Sequence, residues 1–468
     1  MSELWQRGAV ELAAMIRGRE VSSREVIQAH LDRVEAVNPR VNAVVRLLPE
    51  QALAAADAAD RAVSDGLKLG PLHGVPFTVK ENVDLAGTPT TQGIPALAEA
   101  VAPVDAPHVD RMRAAGAIPI GRTNLPDFGL RVHTDSALHG LTRNPWNPAR
   151  TPGGSSGGEA AALATGMSPL GLGNDLGGSV RSPAHCCGVA SIKPSTGSVP
   201  HATVIPPEDM PIAFQLMAVE GVLARRIADV RAGFTAIAGQ HPRDPLSVPA
   251  VFTDLAAGQR PKVAVLADPP GGSTHPGVAA AVRAAADALA DDGYEVAEAI
   301  PPDYELALEL WGTILAADLR IMKPVLDQLM GTDGRKFLAN ALDVLPDPDL
   351  TGWATAYMAR YGLARRWSLW YQDYPVLLSP VWSQPAFPVG FDVADPDGAS
   401  ATLELMRPVL PANLLGTPAA VVPAGMADGL PVGVQVMGGQ YTELRCLAVA
   451  EVIERRLGTL TPIEPVTA

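Results

Sequence analysis

Short apolar segments alternate with alanine-rich segments along almost the whole of this 468-residue chain, and no polar or low-complexity linker interrupts them. Apolar residues make up 47% of the chain and charged residues only 18%, so a large core can be buried. Residues 74–80 are typical of a buried strand, and residues 49–63, which begin with proline, are typical of a helix. The alternation predicts an α/β fold, in which a large mixed β-sheet is flanked by α-helices, and a single domain over residues 1–468.

Two mainly helical regions are expected within this domain, and residues 42–47 of the first are predicted to form a strand. Residues 1–65 have amphipathic helical spacing, with a capping box at residues 22–25, and are interpreted as a helical cover. Residues 303–374 predict two helices, 304–330 and 353–374, joined by a Pro- and Asp-rich connection. Five of the seven tryptophans lie between Trp311 and Trp382. Such aromatics fit either helix packing or a substrate pocket, and our hypothesis is a variable, substrate-side region that forms an apolar channel together with the loop 201–217.

Composition excludes several classes of protein. The formal net charge of −14, without a Lys/Arg cluster, argues against a nucleic-acid partner. The three cysteines have neither the number nor the spacing of a disulfide framework or a zinc site. The N-terminus lacks a signal-peptide pattern, and the most apolar window, 409–423, is too short and too rich in proline to span a bilayer. We therefore expect a cytoplasmic protein that does not associate with membranes.

A glycine-rich segment, residues 150–184, contains the chain's strongest candidates for chemistry. Ser155 and Ser179 each follow a pair of glycines. Glycine permits backbone conformations in which N–H groups converge on a phosphate or on a developing oxyanion. A predicted helix from residue 159 and strand from residue 169 can bring both hydroxyls to one place. The phosphate alternative is weak because the segment has no Gly-x-x-x-x-Gly-Lys-Ser/Thr motif, and the acyl-transfer alternative finds only His185 and Asp175 as an acid–base pair.

Three groups of residues carry a resemblance to a known family. The segment GGSSGGE is followed by GNDLGGSVRSPA, with 24 residues from Ser155 to Ser179. Upstream stands GVPFTVKEN, which contains Lys80, and downstream stand GTPA from residue 416 and LPVGVQ from residue 430. In this order and spacing they resemble the amidase signature family over most of the chain. One departure is Gly221-Val222, where the family usually has Gly-Pro, which we expect to lie in a loop.

The resemblance implies a catalytic apparatus. Ser179 would be the nucleophile, Lys80 the general base, and Ser155 the residue that relays the proton between them across a cis Gly154–Ser155 peptide. The backbone N–H groups of Leu176, Gly177, Gly178 and Ser179 would bind the oxyanion. Ser156 and Asp175 would hold the loop and Lys80 in place, and Arg181 would either fix the loop through a salt bridge or meet a substrate carboxylate. No metal ion or organic cofactor is implied.

The function expected from the resemblance is hydrolysis of small amides, with a preference for apolar or aryl amides and an extension to carbamates and esters. One alternative is the glutaminase subunit of a transamidation complex, although residues 214–221 depart from the segment typical of that subgroup. Another alternative is a noncatalytic binding protein on the same fold. The sequence leaves the oligomeric state open, including a homodimer.

Overall fold

An 11-stranded sheet forms the centre of the computed structural model, which describes residues 3–205 and 210–466. A separate two-stranded hairpin consists of the fourth and fifth strands. In chain order the strands are β1 (Val44–Leu47), β2 (Pro76–Lys80), β3 (Ile118–Thr123), β4 (Asp135–Ser136), β5 (Gly140–Leu141), β6 (Leu170–Asp175), β7 (Ala190–Lys193), β8 (Val219–Ala224), β9 (Val263–Val265), β10 (Val296–Glu298), β11 (Val376–Pro380), β12 (Ala419–Ala427) and β13 (Leu430–Gly438).

The strand order across the large sheet is β1-β3-β2-β6-β8-β7-β12-β13-β11-β9-β10. Strands β3, β2 and β6 are parallel neighbours, and so are β11, β9 and β10. The pairs between β6 and β11 in this order are antiparallel. This confirms the predicted mixed sheet. Because β2 and β6 are parallel, their carboxyl ends, at Lys80 and Asp175, lie at the same edge of the sheet, where ligand sites of α/β proteins form.

Helices cover both faces of the sheet. In chain order they are α1 (Ala9–Arg17), α2 (Ser23–Val41), α3 (Pro49–Ser64), α4 (Pro107–Ala114), α5 (Gly157–Ala164), α6 (Arg181–Cys187), α7 (Ile212–Met217), α8 (Ile227–Ile237), α9 (Pro276–Asp291), α10 (Tyr304–Leu329), α11 (Thr332–Val344), α12 (Leu350–Asp373), α13 (Pro396–Leu405), α14 (Leu410–Leu415) and α15 (Glu443–Leu457). The predicted capping box opens α2, where Ser22 Oγ accepts a hydrogen bond from Glu25 N at 3.1 Å.

Two hydrophobic cores lie on opposite faces of the sheet. Side chains of a strand alternate between the faces, so Ala419 and Val421 of β12 pack into the core formed with α5, α6 and α10, whereas Ala420 and Val422 pack into the core formed with α4, α8 and α9. Among the described residues, no helix has both the length and the apolar character that crossing a bilayer requires.

Several sequence-based predictions need correction. The sequence of residues 123–128 predicts the start of a helix, but Thr123 ends β3 and a 3₁₀ turn spans Asp127–Gly129. An additional amphipathic helix, α11, lies between α10 and the Pro- and Asp-rich connection at residues 345–350, and the sequence-based prediction missed it. Gly221-Val222 lies in the buried strand β8 rather than in a loop. Within the loop 201–217, residues 212–217 form α7, and the prolines at 206 and 207 fall outside the described residues.

Candidate active site

Lys80 is the last residue of β2 and is fully buried. Its Nζ lies 2.7 Å from Ser155 Oγ and 2.7 Å from Asn174 Oδ1, near the end of the adjacent strand β6. Burial lowers the pKa of Lys80 to about 7, against the opposing effect of the carboxylates of Glu220, Asp175 and Glu159. A substantial fraction of Lys80 is therefore neutral near pH 7, as a general base must be.

Ser155 and Ser179 line one cavity of about 300 Å³. Helix α5 leaves the first serine and β6 returns the chain to the second, and Ser156 N donates a hydrogen bond to Ser179 O at 3.1 Å. The Gly154–Ser155 peptide bond is cis, as the resemblance implied. The side chain of Ser156, expected to support Lys80, makes no hydrogen bond among the described residues, so the contact of this residue with the site is through its backbone.

Asp175 and Arg181 brace the loop that carries Ser179. The carboxylate of Asp175 accepts hydrogen bonds from Gly178 N at 2.8 Å and Val180 N at 3.2 Å, and it pairs with Arg181 at 3.0 Å. Burial by itself would raise the pKa of Asp175, but the Arg181 guanidinium and hydrogen bonds hold that pKa well below its usual range. Arg181 is also fully buried and bonds Asn413 Oδ1 at 2.6 Å. It thus holds the loop, and it is not among the residues that line the cavity described above.

The turn after β6 offers backbone donors to an oxyanion. The N–H groups of Leu176, Gly177 and Ser179 make no hydrogen bond within the described part of the chain. The expectation for Gly178 is corrected, because its N–H donates to Asp175 and is already used. The remaining three donors suit a tetrahedral intermediate on Ser179.

Sequence reasoning missed several supporting residues. Asn174 holds Lys80, and Asn413 joins the Asp175–Arg181 pair from α14. Glu159 is buried beneath the site, where its carboxyl accepts hydrogen bonds from the Thr78 and Thr123 hydroxyls, and burial raises its pKa to about 7. Three of these four contacts join residues more than 80 positions apart. The only signals in the sequence were the polar residues inside the glycine-rich motif, at positions 159 and 174.

Gly129 is a further residue that the sequence did not reveal. It lines the cavity with φ of +68°, and a Cβ atom at this position would lie 3.2 Å from Ser155 Oγ. Glycine therefore meets a conformational and a steric requirement at once. His185, in contrast, bonds backbone groups of Gly433 and Gln384 and makes no bond to Asp175 among the described residues, so it is not part of an acid–base pair.

The tryptophan-rich helices are mainly packing elements. Of residues 304–374, only Met322 lines the cavity that contains the two serines. Trp367 is buried against Tyr304 and Tyr371, with ring centroids 6.2 Å away in each case. The predicted channel between α10, α12 and the 201–217 loop is therefore wrong as regards α12. Trp311 has a different position, because its Nε1 donates to Leu176 O at 3.2 Å, behind the oxyanion turn.

Comparison with known proteins shows that all residues of the site lie within the span of one family model. The Amidase family model matches residues 25–447. The chain is 43% identical to an indoleacetamide hydrolase of Bradyrhizobium diazoefficiens, over 98% of this chain and 88% of that protein. It is 35% identical to a glutamyl-tRNA(Gln) amidotransferase subunit of Salinispora arenicola, over 99% of both chains. The solved structure of 6-aminohexanoate cyclic dimer hydrolase complexed with substrate matches with a TM-score of 0.85 at 30% identity, over 97% of this chain and 98% of that one.

Proposed function

The chain belongs to the amidase signature family and is a hydrolase of carbon–nitrogen bonds in amides, and we propose that it acts through an acyl-enzyme on Ser179. The observation that carries this mechanism is the 2.7 Å contact between the buried Lys80 amine and Ser155 Oγ, in the wall of the cavity that Ser179 also lines. A lysine whose pKa is lowered to about 7 can accept a proton at neutral pH.

The proposed reaction has two halves. Ser179 Oγ attacks the amide carbon as its proton passes to Ser155, and the Ser155 proton passes to neutral Lys80. The N–H groups of Leu176, Gly177 and Ser179 stabilise the oxyanion. The proton then returns through Ser155 to the leaving nitrogen, the C–N bond breaks, and an acyl ester remains on Ser179. Water attacks this ester by the same route and releases the acid.

Apolar or aryl acyl groups are the proposed substrates, with carbamates and esters as further members. Apolar side chains contribute to the wall of the cavity, among them Phe128, Leu130, Leu176, Phe214 and Met322. Burial of an additional apolar group against this wall contributes roughly 25 cal/mol per Å² to transition-state binding. The expected preference for apolar or aryl amides is thus kept, but it is assigned to these cavity residues and not to a channel between the tryptophan-rich helices. We keep a single domain as part of the proposal, with a helical cover formed by the helices of residues 1–65, whereas β1 within that range belongs to the sheet.

Glutamine hydrolysis for a transamidation complex is the rival function, and an amidotransferase component is among the similar proteins. Glutamine carries an α-carboxylate that needs a cationic partner. The described lining of the cavity contains no lysine or arginine, whereas Asp84 and Glu220 are among its residues. The lining thus favours an uncharged amide. A noncatalytic binding role is disfavoured because Lys80, Ser155 and Ser179 are all present and the Lys80–Ser155 contact is formed.

The test compares kcat/KM for acetamide, indole-3-acetamide, an aryl anilide, an aryl carbamate and glutamine. We expect the apolar amides to be cleaved best and glutamine poorly, and Ser179→Ala to lose both turnover and covalent labelling by a fluorophosphonate. Ser182→Ala, a buried serine on α6, is the control and should still be labelled. Faster cleavage of glutamine than of every apolar amide would establish the rival function, and labelling of Ser179→Ala would show that another residue is the nucleophile.

A further inference from the structure

Three ionisable side chains that the proposed chemistry does not use line the same cavity: His108, His201 and Glu220. Glu220 lies between the two histidines, with Oε1 2.7 Å from His201 Nδ1 and Oε2 3.4 Å from His108 Nε2. Glu220 is 3% exposed and His108 1% exposed. We call these three residues the Glu220 cluster.

The Glu220 cluster has unused hydrogen-bonding capacity. Among the described residues, Glu220 Oε2, both ring nitrogens of His108 and Nδ1 of His201 complete no hydrogen bond of normal geometry, and the 3.4 Å contact between Glu220 and His108 is long. Buried polar atoms are nearly always hydrogen-bonded, since an unmet acceptor costs roughly 1–3 kcal/mol. Because Glu220 lines the cavity, a ligand there can supply a hydrogen-bond donor to its carboxylate.

The cluster is held in a fixed position. Glu220 belongs to the central strand β8. His201 N donates to Asp244 Oδ2 at 2.8 Å, and Val204 N donates to Asp84 Oδ2 at 2.6 Å, so the loop that carries His201 is tied down at two points. Burial favours the neutral form of Glu220, but His108 and His201 lower its pKa, so it is a carboxylate at neutral pH. Glu220 is therefore a charged acceptor in a fixed position among the residues that line the cavity.

The residues around Glu220 indicate which kind of ligand group can bind there. The described residues contain no group of three His, Cys, Asp or Glu side chains arranged to hold a metal ion. The carboxylates of Asp84 and Glu220 disfavour an anion. The wall formed by Phe128, Leu130 and Phe214 favours an apolar body. An apolar group that carries one hydrogen-bond donor can pack against these apolar side chains and donate to Glu220.

We propose that Glu220 is a specificity-determining residue, whose carboxylate accepts a hydrogen bond from an N–H group on an otherwise apolar acyl group of the substrate. His108 and His201 are positioning residues that hold the carboxylate. This inference rests on the proposed amide hydrolase function and specifies the substrate class: amides of aromatic acids that bear a ring N–H.

The experiment compares two primary amides of similar size, from which only ammonia leaves. Indole-3-acetamide has a ring N–H, and naphthalene-1-acetamide has none. The ratio of their kcat/KM values in the wild type should favour the donor by roughly tenfold, as expected for a hydrogen bond to a charged acceptor. Glu220→Met, which removes the acceptor, should bring the ratio close to one, and Glu220→Gln should give an intermediate ratio. Active sites are counted by fluorophosphonate labelling, so partial misfolding does not change the ratio.

Phe214→Leu, on the apolar wall, is the matched control. It should lower kcat/KM for both amides and leave the ratio unchanged. Both amides are compared at alkaline pH, where kcat/KM no longer changes with pH. Lys80 is then neutral in every variant, so an effect of Glu220 on the pKa of Lys80 does not alter the ratio. A wild-type ratio near one, or a ratio that Glu220→Met leaves unchanged, would overturn the inference while amide hydrolysis stands. Failure of the wild type to cleave either amide would overturn the proposed function itself.

Discussion

At the Lys80 amine, burial and nearby charge act in opposite directions. Burial disfavours the ammonium form and is the larger effect, so the pKa falls to about 7, while Glu220, Asp175 and Glu159 favour the ammonium form. Glu220 is the strongest of these three charges. A residue on the cavity wall thus also determines how much of the base is available at a given pH.

We predict that kcat/KM for an apolar amide rises with pH through an apparent pKa near 7, because only neutral Lys80 accepts a proton. Glu220→Gln removes the strongest opposing charge, so the rising limb should shift to lower pH. Lys80→Ala should abolish most turnover. The exposed lysine variant Lys68→Met is the control and should have the wild-type profile. If the rising part of the pH profile lies at the same pH in Glu220→Gln as in the wild type, the Glu220 carboxylate does not raise the pKa of Lys80.

At the scale of elements, two tryptophans on neighbouring helices have different tasks. Trp311 of α10 donates to Leu176 O at 3.2 Å and touches the oxyanion turn from behind. Trp367 of α12 donates to Pro302 O at 2.8 Å and lies in the core, away from the cavity. The first therefore bears on the geometry of the reaction and the second on stability.

We predict that Trp311→Phe lowers kcat by roughly three- to tenfold with little change in KM, because the loss of one hydrogen bond, about 0.5–1.5 kcal/mol, loosens the oxyanion turn. Trp367→Phe should instead lower the free energy of unfolding by about 1–3 kcal/mol and leave kcat and KM within twofold of the wild type. Steady-state kinetics and urea unfolding of both variants provide the comparison. A kcat loss in Trp367→Phe equal to that in Trp311→Phe would place both helices at the site.

The same elements show what sequence can predict. Period-two and period-3.6 patterns depend on local burial, so the strand ending at Lys80 and the helices α10 and α12 were predicted nearly to their ends. The spacing of motifs indicated which residues of the glycine-rich segment meet. The predictions that failed depend on contacts between residues far apart in the sequence. A tryptophan in the core and one beside a pocket have the same local pattern, and Asn413 contacts Asp175 only because the fold brings them together. Gly129 ends a 3₁₀ turn that local propensity could not distinguish from a helix start.

At the scale of the whole molecule, the sheet contains two buried lysines at the ends of different strands. Lys193, at the end of β7, donates to the carbonyls of Pro194 and Thr417 at 2.7 and 2.8 Å. Burial lowers its pKa to about 7, as it does for Lys80. Between pH 7 and the ordinary lysine pKa of about 10.5, the unfolded chain binds a proton at each position that the folded protein does not bind. The free energy of unfolding therefore rises with pH through this window at each of the two positions. Below pH 7 both states are protonated, and the full cost of burying the charged amine lowers stability.

We predict that Lys193→Met reduces the slope of unfolding free energy against pH, between about pH 7.5 and 9, by roughly 1.4 kcal/mol per pH unit, the value for one proton. The variant also loses two hydrogen bonds to backbone carbonyls, which lowers stability equally at every pH and so leaves the slope unaffected. Other groups that titrate in this range are common to both proteins and cancel in the difference. Lys68→Met, at an exposed position, should keep the wild-type slope. Urea unfolding at four pH values measures the slopes, and equal slopes for Lys193→Met and the wild type would mean that Lys193 remains protonated in the folded protein.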